Sequence, residues 1–184
     1  MPIQSSADRT LVFIDGHAIY NCSHLLNFQM DYLGLKNYFE KNYKLVRIHY
    51  YTTLKYDGPD DDFQKLRPLL DYLDYNGFAL TTKDLVEIPS TSGASSRYRG
   101  TIRMELALDA VTLCHNADRV ILVTGDGEYT YAIKKIQELG KIVTVISSRK
   151  TTPVAVSDDL RRQADEFIDM ADIQQFIARK EPAK

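Results

Sequence analysis

The sequence predicts a three-layer α/β domain built on a mostly parallel sheet, and three observations carry that prediction. Short runs of β-branched and apolar residues alternate with longer segments of helical periodicity, the pattern of right-handed βαβ crossovers with helices on both faces. The run 120–123 is apolar throughout and is followed by Gly125-Asp126-Gly127, as befits a strand covered on both sides. The first apolar run ends in the same manner, on Asp15-Gly16.

Taken in order, 11–14 is the first strand, followed by helical periodicity over 17–42 that breaks near 32–34. "KLVRIHYYTTL" (44–54) is β-branched and aromatic, hence a strand. A helix follows over 60–76, where Asp60-Asp61-Asp62 suits the positive end of the helix dipole. "FALTTK" (78–83) is the third strand, 102–116 a helix and 120–123 the fourth strand. A helix over 129–139 stops at Gly140, a strand occupies 141–147, and Ser157 caps a helix over 157–164. A last short strand falls at 166–168. Between them "EIPSTSGASSRYRG" (87–100) combines Pro, Gly and four serines and reads as a mobile loop. It is either a solvated linker or a lid whose Arg97 and Arg99 meet phosphate while Tyr98 stacks on a base.

The totals narrow the function classes. A chain of 184 residues can bury a full core as one domain. Its net charge of −2 means that any affinity for nucleic acid must come from a local basic patch. Cys22 and Cys114 lack metal or redox spacing and are expected as reduced thiols. With no apolar leader and no run approaching the ~20 residues of a membrane span, a cytoplasmic, membrane-independent protein is expected. Tyr72 and Tyr75 leave homo-oligomerisation open, since core packing explains them equally well.

Two aspartates at matching strand ends point into one crevice, because ligands of open α/β sheets bind at the C-terminal edge. Asp15 and Asp126 are each a plausible turn or cap residue alone, but as a pair they are a candidate magnesium site. Glu128 is the natural second acid of its turn, and Glu105 and Asp109, four apart, share one helix face. Other chemistries fail on spacing: Thr130 breaks the dinucleotide fingerprint, no phosphate loop is present, and His17 stands where a haloacid-dehalogenase-type phosphatase needs its second Asp.

"LVFIDGHAIYN", "RYRGTIRMELALDAV", "VILVTGDGEY" and "DDLRRQADEFIDMADI", in that order, resemble the bacterial NYN-domain proteins of the LabA-like group. The resemblance implies a Rossmann-like, PIN-like fold over 10–176, with tails at 1–9 and 177–184. It also implies acids that hold Mg²⁺ or Mn²⁺ for RNA hydrolysis, with Asp15, Asp126 and Glu128 catalytic and Asp15, Asp126, Glu105 and Asp109 available to the metal. RNA is the expected partner, through Arg97, Tyr98, Arg99 and Arg103. The chain departs from the family pattern at Ala18, which replaces an Asn, at Glu128, which replaces an Asp, and in Arg99-Gly100-Thr101-Ile102-Arg103, where the pattern has Lys for Arg99, Asn for Thr101 and, in the helix, Asp for Arg103. A guanidinium there competes with the cation for the same carboxylates, and residues 103 and 109 lie about 120° apart around a helix, so Asp109 is no automatic substitute. A weakened metal-dependent ribonuclease and a catalytically lost domain that binds RNA or protein are therefore both expected, with a small-phosphate hydrolase as a third and weaker option.

Overall fold

In the computed structural model, residues 7–55, 62–88 and 97–180 are described. Six parallel strands form the central sheet in the order β3-β2-β1-β6-β7-β8. They are β1 (Arg9–Asp15), β2 (Lys44–Leu54), β3 (Phe78–Asp84), β6 (Arg119–Val123), β7 (Ile142–Ser147) and β8 (Glu166–Asp169). All five residues of β6 are buried, which is why its sequence shows no alternation.

Successive side chains of the central strands enter opposite cores. Val12, Ile14, Ile121 and Val123 pack beneath α1 (Gly16–Leu25), α2 (Tyr32–Asn42), α3 (Asp62–Tyr75) and α7 (Met170–Ile177). Leu11, Phe13, Val120 and Leu122 pack beneath α4 (Arg103–Leu113), α5 (Thr130–Glu138) and α6 (Asp158–Gln163). The three-layer arrangement follows from this alternation.

Several expectations are corrected. The break in the first helical stretch spans 26–31, and Gly34 lies inside α2. Asp31 caps that helix by accepting the Gly34 N–H at 2.9 Å, and a Cβ at Gly34 would stand 2.6 Å from the Phe176 carbonyl oxygen, so this glycine serves close packing and not a turn. Helix α7 was not foreseen, because its eight residues are too short for periodicity to stand out. The ends of the expected 87–100 loop pair as an antiparallel ribbon, β4 (Val86–Ile88) with β5 (Arg97–Arg99). Residues 89–96 of that loop, and Asp60 and Asp61 of the acidic run, lie outside the described residues.

Candidate functional site

Asp15 is the last residue of β1 and the N-cap of α1, and it is buried. Its Oδ1 accepts the backbone N–H of His17 and of Ala18, both at 3.1 Å, and its Oδ2 accepts the Tyr129 hydroxyl at 3.2 Å. On the adjacent strand, Val123 pairs in register with Ile14, so the chain leaving β6 reaches the same edge of the sheet. Three residues on, Asp126 caps a single 3-10 turn (Gly127–Tyr129), its Oδ1 accepting the Glu128 N–H at 3.0 Å. Tyr129 lies buried between the two acids. Burial, then the charge of Asp15 and its hydrogen bond, then Asp126 push its phenol far above the ordinary range, so it remains a donor.

Gly125 has a steric reason to be glycine: a Cβ there would come within 1.9 Å of the Ala155 carbonyl oxygen. The segment after β7 thus lies directly on the β6 exit and fixes where Asp126 emerges, helped by the Ser157 N–H bonded to the Gly125 carbonyl at 2.8 Å.

Arg103 opens α4 beside this turn. Its Nε stands 2.5 Å from Asp126 Oδ2 and its Nη1 3.4 Å from Glu128 Oε2. Burial by itself would lower its pKa, but the carboxylates of Asp126 and Glu128 outweigh that and hold it above the ordinary value. A permanent cation therefore sits on the acids of the β6 exit.

The NYN domain model matches residues 9–172. The chain belongs to the NYN domain family. It is 28% identical over 176 residues to the low amplitude and bright protein LabA of Synechococcus elongatus, a match covering 94% of this chain and 89% of that protein. A solved structure of a protein of unknown function from Vibrio parahaemolyticus superposes with a TM-score of 0.70 at 23% identity, covering 94% of this chain and 98% of the other, and shares the fold.

The remaining acids of this NYN domain are committed elsewhere. Glu105 pairs with Lys83 at the end of β3, at 2.6 Å, and the hydrogen bond from that ammonium is the main reason its pKa is lowered. Asp109 accepts the Tyr51 hydroxyl of β2 at 2.7 Å, a bond that, after burial, raises the Tyr51 pKa. Among the described residues no three His, Cys, Asp or Glu side chains gather as a metal site. In this arrangement the described residues of the crevice offer a divalent cation no free pair of carboxylates: the Arg103 guanidinium sits on Asp126 and Glu128, leaving Asp15, whose two N–H bonds and Tyr129 hydroxyl bond are themselves compatible with ligation. Among the described residues Asp15, Asp126, Glu105 and Asp109 therefore do not gather as one metal-binding group: Arg103 holds Asp126, Lys83 holds Glu105, and Asp15 and Asp109 each accept a tyrosine hydroxyl.

What the edge does hold is a cleft of about 250 Å³ lined by Asp15, His17, Thr53, Tyr98 and Arg103 among others. The His17 Nε2 is hydrogen-bonded to Thr53 Oγ1 at 2.8 Å. Tyr98 is half-buried under the Lys55 ammonium, which stands 4.4 Å from the ring centroid. Arg99 is exposed beside it, while the side chain of Arg97 lies outside the described residues. Sequence reasoning overlooked Tyr129, Thr53 and Lys55. A tyrosine three residues after a capping Asp, and a lysine directly after the strand 44–54, were the available signals.

Proposed function

We propose that this NYN domain is an RNA-binding module whose crevice works without a divalent cation. The observation that carries the reading is the Arg103 guanidinium seated on Asp126 and Glu128, where the family resemblance implies a metal. Arg103 brings five N–H donors, and its two ion pairs leave others for a phosphate oxygen in the cleft it lines. Lys55 and Arg99 add positive charge at the ribbon, and Tyr98 supplies a ring there.

A weakened metal-dependent ribonuclease is the second reading, favoured by Asp15 and Asp126 leaving neighbouring strands at one edge. The test is fluorescence anisotropy with a labelled single-stranded RNA in EDTA and in Mn²⁺, alongside a cleavage gel. Equal affinity in both media with intact RNA is the expected result. Mn²⁺-dependent cleavage that disappears in Asp15→Asn would replace the binding-module reading with the nuclease.

A further inference from the structure

The crevice is nearly balanced in charge, so a chain with net charge −2 must present a basic surface elsewhere if it is to hold a polyanion firmly. Such a surface exists on the face covered by α2, α3 and α7. Three adjoining grooves of about 550, 460 and 580 Å³ meet there. Arg179 lines the first and second, Lys180 the first and third. His24, Lys65 and Lys41 lie on the same walls, one to each groove in that order.

Asp31 is the single carboxylate lining these grooves among the described residues, and it is spent on capping α2. Nearby acids are taken by other cations, Glu40 by Lys36 at 3.8 Å and Asp71 by Arg67 at 3.7 Å. Lys41, Arg179 and Lys180 are exposed and have no carboxylate within ion-pair reach among the described residues. Aromatic rings share these grooves with the charges: Tyr72 in the second groove is 44% exposed, and Phe176 in the third is 50% exposed.

We infer that this surface is a second binding site for single-stranded RNA, separate from the crevice. Cations and exposed rings in the same grooves supply the two contacts an unpaired strand takes, since each phosphate contact releases counterions and each ring offers a stacking face. A protein partner is disfavoured by Lys41 and Lys180, since lysine is depleted at protein interfaces and costly to desolvate without a matched acid. The cations come from both ends of the described chain, which explains why no basic cluster is visible in the sequence. The inference shares with the proposed function the choice of RNA as ligand, but it rests on different residues.

The experiment photo-crosslinks a 4-thiouridine-substituted single-stranded RNA to the full chain and maps the adducts by mass spectrometry. It also measures affinity for Arg179→Glu/Lys180→Glu and Lys41→Glu. Adducts on α3 and α7 peptides, a loss on the order of tenfold for the double variant, and a salt slope reduced by about 0.7 for each lost contact are expected. Adducts confined to β4–β5, with unchanged affinity in these variants, would overturn the second site and leave the crevice reading standing. Adducts confined to α3 and α7 would support the second site and remove the crevice as the RNA contact. Circular dichroism identical to the parent chain secures the comparison, since all three substituted side chains are exposed.

Discussion

At the scale of single residues, the proposed metal-independent crevice rests on Arg103. Replacing it with Asp removes a cation from Asp126 and Glu128 and returns a third carboxylate to the turn. Like charges about 4 Å apart repel by roughly 4 kcal/mol at an effective dielectric of ~20. Solvent screening of a side chain that is 43% exposed reduces this substantially. A gain of about tenfold in Mn²⁺ affinity is expected for Arg103→Asp by titration calorimetry. Unchanged affinity would show that the guanidinium does not exclude the metal. A second residue-scale expectation concerns Cys22, which is 2% exposed and whose thiol is pushed up to about 11, chiefly by burial and then by Asp169. At pH 8 only about one molecule in a thousand would carry the thiolate, so Cys22 should resist a thiol reagent until denaturant is added. Rapid labelling of Cys22 in the native protein would contradict this.

At the scale of elements, the six sheet strands were legible because each is a short run of apolar, β-branched or aromatic residues set off by turn or helix signals, and the segment after β7 was not, because its position depends on a contact with a distant glycine. Gly125→Ala tests that contact. The new Cβ would meet backbone, which cannot rotate away, and so should displace the segment around Ala155 and the Ser157 N–H bond. A loss of about 3 kcal/mol is expected from the shift in urea midpoint, and anything below about 0.5 kcal/mol would mean the segment is loosely seated. The capping residues Asp15, Asp126 and Ser157 were readable from local sequence, since a cap acts within three residues. Ties between elements were not: Glu105 to Lys83 and Asp109 to Tyr51 join positions 22 and 58 residues apart, and neither partner marks the other by spacing. Strand β2 carries a pH consequence of the same long-range kind. His49 is stacked on Phe13 with ring centroids 4.9 Å apart, and burial lowers its pKa despite the opposing charge of Asp109. The unfolded chain therefore takes up the proton first, and stability should fall as pH drops through the ordinary histidine value of 6.5. His49→Phe should flatten that part of the thermal-midpoint profile.

Across the whole molecule, the two edges of the sheet have divided roles. The C-terminal edge carries the crevice, while the opposite edge is fastened by Arg119, only 2% exposed at the start of β6. Its guanidinium reaches Glu166 of β8 at 2.5 Å, Asp8 at 3.3 Å and the Thr144 hydroxyl of β7 at 2.8 Å, and it lies 5.6 Å from the Tyr43 ring. One side chain thus ties the start of β1 to three further elements. Removing a partner from a buried ion pair costs about 3–5 kcal/mol, because the remaining charge is left without compensation. Glu166 is 20% exposed on its side chain, so the lower end applies to Glu166→Ala. At about 2–4 °C per kcal/mol for a chain of this size, the thermal midpoint should fall by about 6–12 °C. RNA affinity at 20 °C should remain within about twofold of the parent, since Glu166, Asp8 and Thr144 line neither a groove nor the crevice, and distant sites add independently. A variant that kept its midpoint would show that Asp8 and Thr144 suffice for Arg119. A variant that stayed folded but lost RNA would show that the two edges are coupled, against the division of labour seen in the sheet.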